Sequence, residues 1–211
     1  AVKKRLEIAD VKVGVLLSGG LDSSLLVALL AEQGVPDLMT FSIGFDDHPE
    51  ERGNEFEYSD AVAEHFATRH HKIAIPNDEV LRRLPEAVDC MAEPMVSQDV
   101  VSFYLLAEQV SKTVKVVQSG QGADEVFAGY SWHPKMAAPL TNGEPAIARL
   151  QRHYFDREHA EFAVMAAPSL QIGDVTSELL AARLAEPCAD EFIDQLLRAE
   201  ATLLIIDDPV K

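Results

Sequence analysis

The sequence has few cysteines, few basic residues and no long hydrophobic run, and each shortage excludes a class of protein. Its 211 residues include two cysteines, Cys90 and Cys188, whose separation fits neither a metal site nor a disulfide framework. Lysine and arginine together number 18 against 35 acidic residues, which gives a formal net charge of −17. Because such a surface repels phosphate backbones, we expect no nucleic-acid partner.

The apolar runs of the sequence, residues 13–17 among them, are far shorter than the roughly 20 residues of a bilayer-spanning helix. The N-terminus shows no signal-peptide pattern. The cysteine usage suits a reducing compartment. Together these features predict that the protein has no membrane partner and is cytoplasmic.

Apolar and amphipathic segments alternate over the first two thirds of the sequence. Strands are predicted at 11–17, 38–45, 70–75 and 114–118, and the segments between them have helical periodicity. This alternation predicts an α/β fold with a doubly wound parallel sheet. From about residue 136 the pattern is helical throughout, so we predict two domains, 1–135 and a C-terminal all-helical extension, 136–211.

Two of the predicted helices have specific features. The helix after the first strand begins at Leu21 and ends at Gly34 in a left-handed cap. Its leucines are predicted to face the core: Leu21, Leu25, Leu26, Leu29 and Leu30. Asn77 is predicted as the N-cap of a later helix, which Pro85 interrupts.

The segment "SGGLDSS" joins the first strand to its helix. Gly19 and Gly20 let backbone amides approach a phosphate, the helix start adds free N–H groups, and Ser18 and Ser23 add hydroxyls. The segment lacks the Lys-Ser/Thr ending of a Walker loop and the G-x-G-x-x-G spacing of a dinucleotide fold. Asp22 would repel a phosphate unless it holds Mg²⁺; the alternative is that Asp22 caps the helix.

A second segment, "SGQGADEVFAGY", begins at Ser119 directly after the fourth strand. It repeats the same ingredients: a hydroxyl, small residues and the carboxylate of Asp124. Ligands of doubly wound sheets lie beyond the carboxyl ends of the strands, where we expect the two loops to be neighbours. Matched loops predict one Mg²⁺–pyrophosphate held between Asp22 and Asp124.

These motifs resemble those of the ATP pyrophosphatase (PP-loop) superfamily, an adenine nucleotide α-hydrolase-like, Rossmann-like fold whose members cleave ATP between the α and β phosphates. "SGGLDSS" is similar to its pyrophosphate loop. "SGQGADEVFAGY" resembles the S-G-E-G-x-D-E-x-F-x-G-Y block of class B (glutamine-hydrolysing) asparagine synthetases, and "FSIGF" resembles their adenine strand. "EPMVSQDVVSFYLL", "GQGAD" and "FDREHAEF" look most like the N-acetylglutaminylglutamine amidotransferase branch.

The resemblance implies a role for individual residues. Those that would bind the pyrophosphate of ATP are Ser18, Gly19, Gly20, Asp22 and Ser23. Leu16 and Ile43 would lie at the adenine, and Ser119 and Gly120 near the ribose and α-phosphate. Asp22 and Asp124 would hold Mg²⁺ and, with Gln121, would make up the catalytic set.

The implied reaction adenylates a small-molecule carboxylate with ATP, releases pyrophosphate, and forms an amide with ammonia from glutamine. Gln121 stands where asparagine synthetases usually carry glutamate, and a neutral amide cannot take a proton from ammonia. Either another group does the proton work or the substrate is not free aspartate. The acceptor is therefore expected to be either aspartate or a glutaminylglutamine-type dipeptide.

Residue 1 is Ala1, not the N-terminal cysteine of a glutaminase domain, and the family's "EARVPFLD" block has no counterpart before the sequence stops at "DDPVK". These features predict a synthetase-domain fragment, truncated at its C-terminus and unable to complete turnover alone. Its partner is expected to be the glutaminase domain of the same full-length chain, with a homodimer left open.

Two alternatives stay open. One is another PP-loop ligase, such as a tRNA sulfur- or lysine-transferring enzyme, which the acidic charge and the absence of a C-x-x-C pair disfavour. The other is a nucleotide-binding but inactive module.

Overall fold

The computed structural model describes residues 1–47, 52–91, 99–138, 143–155, 157–187 and 189–204. The strands are β1 Val13–Leu16, β2 Met39–Phe45, β3 Arg69–Ile75 and β4 Val116–Gln118. The helices that alternate with them are α1 Val2–Glu7, α2 Leu21–Glu32, α3 Phe56–His65, α4 Asn77–Cys90 and α5 Asp99–Val110. The helices after β4 are α6 Ala123–Phe127, α7 His133–Ala137, α8 Ala146–His153, α9 His159–Met165, α10 Val175–Leu184 and α11 Phe192–Ala199.

The strands form one parallel sheet in the order β3-β2-β1-β4. β1 lies inside the sheet, where Leu16 pairs with Phe41 of β2 and Val15 pairs with Gln118 of β4. β2 and β3 lie on one side of β1, and β4 lies on the other. The topological switch point of this doubly wound sheet is therefore between β1 and β4. The predicted fold class is confirmed.

Helices cover both faces of this sheet. On one face, Val15 and Leu17 pack with Val27 and Leu30 of α2 and with Ala63 of α3. The core on the other face is formed with α5: Met39, Phe41, Leu106, Val110 and Val114. Because β1 and β2 are covered on both faces, their sequences are apolar runs without strict alternation, whereas the edge strand β3 is partly exposed and carries Arg69 and Lys72.

The chain divides into two compact units, the first being Ala1–Gly120 and the second beginning at Gln121. The described residues of the second unit contain helices and no strand, so the predicted helical extension is confirmed for them. Its core residues are Met136, Leu150, Leu184, Phe192, Leu196 and Ala199. The domain boundary predicted near residue 135 stays a prediction.

Helix α2 begins at Leu21 as predicted, but its leucine stripe does not face the core. Leu21, Leu25 and Leu29 are 83%, 53% and 37% exposed, whereas the buried positions of the helix are Ser23, Val27 and Leu30. The helix is apolar on both sides, and periodicity alone cannot tell which side meets the sheet. The prediction that Leu21, Leu25 and Leu29 are core residues is wrong.

Helix α4 also differs from the prediction. Pro76 takes the N-cap position, and Asn77 instead donates through its backbone N–H and its side chain to Asp46. Pro85 lies inside a continuous helix. The carbonyl that loses its N–H partner belongs to Leu81, which is exposed, so water can replace the missing donor.

Two further findings concern membrane-spanning helices and the cysteines. In the described part of the chain, every helix falls short of the length and apolar character that crossing a bilayer demands. Cys90 is an exposed free thiol, and Cys188 lies outside the described residues.

Candidate functional site

The first glycine loop is closed by its own serines. Beyond β1, the Leu17 N–H still donates to the Phe41 carbonyl at 2.8 Å, so the chain enters the loop in a fixed direction. Ser18 Oγ accepts from the Gly20 N–H at 3.2 Å and lies 3.0 Å from Ser23 Oγ, which in turn donates to the Gly20 carbonyl. The two hydroxyls therefore line the inside of the loop at the start of α2.

Gly19 permits a close approach of this loop to α3. A Cβ at Gly19 would lie 2.5 Å from Tyr58 Cβ and 2.6 Å from the Ser59 amide nitrogen, and the φ of Gly19 is +92°. Both features exclude a side chain. The loop backbone can lie flat against the N-terminal turn of α3 only because residue 19 is glycine.

Asp22 does not cap α2. The N-cap is Gly20, which makes no side-chain cap, and Asp22 is the second residue of the helix. The Asp22 carboxylate is half-buried and forms no hydrogen bond or ion pair within the described residues. The capping alternative is therefore wrong, and a carboxylate remains beside the free N–H groups of the first turn.

The start of the second loop meets the first loop within the first unit. Because Val15 and Gln118 are paired in the sheet, the segments that follow them leave the same edge. A Cβ at Gly120 would lie 3.1 Å from Asp22 Cβ and 3.1 Å from the Ser23 amide nitrogen. The predicted meeting of the two loops at the carboxyl end of the sheet is thus observed for Gly120.

Leu16 and Ile43 lie on one face of the sheet. Both are half-buried and pack against the cluster that contains Met39 and Phe41. They could offer an apolar wall to a planar ring.

The two remaining predicted residues, Gln121 and Asp124, belong to the second unit. Gln121 is exposed and Asp124 is half-buried in the first turn of α6. Gly122 and Ala128 flank this short helix in left-handed conformations, with φ of +84° and +59°. The Gly129 N–H donates to the Asp124 carbonyl at 3.0 Å, which closes the turn.

A buried polar network in the second unit was not predicted. Tyr130 Oη donates to Glu125 Oε1 at 2.6 Å, and His133 Nε2 lies 2.9 Å from Glu200 Oε2. Glu125, His133 and Glu200 are almost fully buried. Burial and the adjacent Glu125 carboxylate raise the pKa of Tyr130. The only sequence signal was the Glu125–Tyr130 stretch of the second motif, since Glu200 lies far along the chain.

The residues of the first loop fit a nucleotide phosphate with Mg²⁺. Gly19 provides a backbone cradle that a Cβ would fill, and α2 offers unshielded N–H groups next to the Asp22 carboxylate. The described residues contain no group of three or more histidine, cysteine or acidic side chains placed to hold a metal ion. Mg²⁺ does not require one, because it binds through one or two carboxylates together with phosphate oxygens and water.

Comparison with known proteins connects this geometry to a family. Residues 1–203 match the family model for asparagine synthase. Asparagine synthetase [glutamine-hydrolyzing] 1 of Bacillus subtilis is 36% identical over 124 residues, which is 58% of this chain and 19% of that protein. Asparagine synthetase [glutamine-hydrolyzing] of Bos taurus is 33% identical over 164 residues, 74% of this chain and 28% of that protein.

The chain thus spans less than a third of the length of these curated relatives, 19% and 28%. Among solved structures, the NH3-dependent NAD synthetase of Campylobacter jejuni has a TM-score of 0.44 at 14% identity, over 97% of this chain and 90% of that chain. That likeness is too loose to support a conclusion. The family match covers nearly the whole chain, including both glycine loops and the helical second unit, and the chain therefore belongs to the asparagine synthase family.

Proposed function

We propose that this chain is the ATP-binding synthetase part of an amide-forming ligase of the asparagine synthetase (glutamine-hydrolysing) type. One observation carries the proposal: Gly120, at the start of the second glycine loop, meets the first loop at the N-terminus of α2, beside an Asp22 carboxylate that has no protein partner within the described residues. Helix N-terminal amides suit a phosphate, and an adjacent carboxylate suits the Mg²⁺ that accompanies it. The family match supports the same activity.

In this proposal the first loop binds the pyrophosphate of ATP. The amides of Gly19 and Gly20 and the hydroxyls of Ser18 and Ser23 donate to its oxygens, and the internal hydrogen bonds of these hydroxyls are exchanged for bonds to the ligand. Asp22 and Asp124 would hold Mg²⁺, whose chemistry is to neutralise charge on the departing pyrophosphate.

The remaining predicted residues would position the rest of the nucleotide. Leu16 and Ile43, which pack on one face of the sheet, would supply an apolar wall for the adenine, and Ser119 and Gly120 would contact the ribose and α-phosphate. Holding the nucleotide at both ends aligns the α-phosphorus for attack, which converts binding energy into orientation.

The proposed chemistry has two steps. An oxygen of the acceptor carboxylate attacks the α-phosphorus of ATP, and the bond to the bridging oxygen breaks so that pyrophosphate leaves. Ammonia then attacks the acyl carbon, AMP leaves with its bonding pair, and the nitrogen loses a proton. Gln121 is neutral and is not the base for that proton. We propose aspartate or a glutaminylglutamine-type dipeptide as acceptor, with ammonia from glutamine released by a glutaminase domain of the full-length protein.

The test is product analysis with the full-length protein. ATP, Mg²⁺ and ammonia are incubated with aspartate or a glutaminylglutamine dipeptide, and AMP, ADP and pyrophosphate are quantified. We expect AMP and pyrophosphate in equal amounts that depend on the acceptor. Formation of ADP and phosphate would contradict the proposal, whereas tight ATP binding without any turnover would favour the inactive nucleotide-binding module.

Asp22→Asn provides the matched variant. It keeps the shape of the side chain but removes the charge proposed to bind Mg²⁺, so we expect at least tenfold slower AMP formation and weaker dependence on Mg²⁺. Asp10→Asn removes an exposed carboxylate ahead of β1 and should leave the rate unchanged.

A further inference from the structure

The second unit contains a buried histidine, His133, and each of its two ring nitrogens has a hydrogen-bond partner. His133 is 1% exposed and lies at the first position of α7. Its Nε2 faces Glu200 Oε2 at 2.9 Å, and its Nδ1 accepts from the Tyr130 N–H at 3.1 Å. Glu200, 2% exposed, begins the π-helical turn Glu200–Leu204 directly after α11.

These contacts fix the tautomer. A backbone N–H can only donate, so His133 Nδ1 must present its lone pair to Tyr130. The ring proton is then on Nε2, where it donates to the Glu200 carboxylate. The doubly protonated ring would set an Nδ1–H donor against the Tyr130 N–H donor, and the opposite tautomer would do the same. The neutral Nε2–H form is the one that satisfies both neighbours.

His133 and Tyr130 are joined by two hydrogen bonds of opposite direction. The His133 N–H donates to the Tyr130 carbonyl at 3.0 Å, while the Tyr130 N–H donates to the His133 ring. This reciprocal arrangement resembles a capping box, in which one side chain satisfies a backbone donor and fixes the turn that enters a helix. Here the turn it fixes is the one at the end of the second glycine loop.

Asp124 is held by that turn. Ala128 adopts a left-handed conformation, the Gly129 N–H donates to the Asp124 carbonyl, and Tyr130 Oη donates to Glu125. A Cβ at Gly129 would overlap the Asp124 carboxylate, so the two backbones pass in close contact. A shift of Tyr130 would therefore move Asp124.

We propose that His133 is a positioning residue: held as the Nε2–H tautomer by Glu200, it fixes Tyr130 and thereby sets the position of Asp124. Glu200 thus links the end of α11 to the second glycine loop. The consequence for AMP formation rests on the proposed function, whereas the tautomer and the turn do not.

The charge state of Glu200 does not disturb this arrangement. The groups that shift the pKa of Glu200 are Glu125 from α6, His133, and Trp132 in the turn before α7. Tyr154, after α8, contributes to the raised pKa of Tyr130. Burial raises the pKa of Glu200, and Glu125 adds to this effect while His133 and Trp132 oppose it. Glu200 Oε1 has no hydrogen-bond partner among the described residues, so a proton added there leaves Oε2 free to accept from His133.

The direct test is nitrogen NMR on the 15N-histidine-labelled protein without nucleotide. Long-range 1H–15N spectra distinguish a protonated from an unprotonated ring nitrogen, and we expect His133 Nε2 protonated and Nδ1 unprotonated at pH 7. A signal from Nδ1–H, or from the doubly protonated ring, would overturn the proposal whether or not the protein makes AMP.

Two substitutions separate the two sides of the ring. The Asn of His133→Asn can reach the Nδ1 position and accept from the Tyr130 N–H, whereas the Gln of His133→Gln can reach the Nε2 position and donate to Glu200. We expect the hydrogen-exchange protection of the Tyr130 amide to fall roughly tenfold more in His133→Gln than in His133→Asn, as for loss of one hydrogen bond.

The rate of AMP formation in the full-length protein should follow the same order, with the larger loss in kcat for His133→Gln. Equal losses in both variants would reduce His133 to a packing residue and overturn the proposal. If either variant fails to fold, the wild-type NMR assignment still decides the tautomer. Glu200→Gln retains a carbonyl acceptor for Nε2–H and should keep the Tyr130 amide protected to within about threefold.

Discussion

The two glycine loops contain similar residues but are supported in different ways. In the first loop, Ser18, Gly20 and Ser23 bond one another across at most five positions of sequence. In the second, the turn at Tyr130 depends on His133, which is bonded to Glu200, 67 positions further along the chain. The first support is local and partly exposed, whereas the second is distant and buried.

The difference determines where each loop can be damaged. A local hydroxyl cluster is sensitive to changes within the loop and to the helix against which it packs. A buried network also responds to a substitution in α11 that never touches the loop, because a buried group left without its partner costs about 1–3 kcal/mol. Substitutions can therefore distinguish the two kinds of support.

The largest expected effect is that of Gly19→Ala in the first loop. The new Cβ would collide with backbone and Cβ atoms of Tyr58 and Ser59, and the φ of +92° adds strain. We expect a loss of about 2–4 kcal/mol in the free energy of unfolding, measured by urea denaturation. Gly34→Ala is the control: it has a φ of +69° and nothing within 4 Å, so it should cost about 1 kcal/mol. Equal losses would show that Gly19 does not mediate a close approach.

Gly129→Ala should separate stability from activity in the second loop. Its Cβ would overlap the Asp124 carboxylate and lie 3.1 Å from the Asp124 Cα, so the side chain must move, and we expect about 1–2 kcal/mol of destabilisation. The displaced carboxylate should nevertheless slow AMP formation at least tenfold in the full-length protein, if Asp124 holds Mg²⁺ as proposed. Gly173→Ala, where nothing lies within 4 Å, should change neither quantity. An unchanged rate in Gly129→Ala would argue against a role for Asp124.

The same contrast explains how much could be predicted from the sequence. The strands, their parallel arrangement and the approach of Gly120 to the first loop follow from local patterns and from the rules of sheet topology, and the structure bears them out. The orientation of α2 could not be predicted, because leucines occupy both of its sides. The pairing of His133 with Glu200 could not be predicted either, since no periodicity connects residues 67 positions apart.

A pH series should act in opposite directions on two groups, His70 in the first unit and Glu200 in the second. Burial lowers the pKa of His70, whose ring contacts Thr40 and Ser42 near the first loop. As the pH falls below about 6.5, His70 is protonated in the unfolded chain before it is protonated in the folded protein. His70 therefore lowers the free energy of unfolding in this pH range. Burial raises the pKa of Glu200, so the unfolded chain loses that proton first and stability is lost as the pH rises above about 4.3.

The measurement is the free energy of unfolding from pH 4 to pH 8 for the wild type, His70→Asn and Glu200→Gln. Relative to the wild type, His70→Asn should lessen the fall in the free energy of unfolding on the acid side. Glu200→Gln should lessen its fall toward neutral pH. Two variants that change the curve in the same direction would contradict these assignments.

The smallest expected effect is that of Ser24→Ala at the start of α2. Ser24 Oγ donates to the Gly20 carbonyl at 2.7 Å, but the contact is exposed and the carbonyl also accepts from the Ser24 N–H and Ser23 Oγ. Because water and these other donors replace the lost hydroxyl, we expect about 0.5 kcal/mol of destabilisation by urea denaturation. Ser23→Ala is the informative partner: Ser23 is buried, and it bonds to both Ser18 and Gly20. A Ser24 effect as large as that of Ser23 would mean that the loop is held from its exposed side, not by the hydroxyls that line its interior.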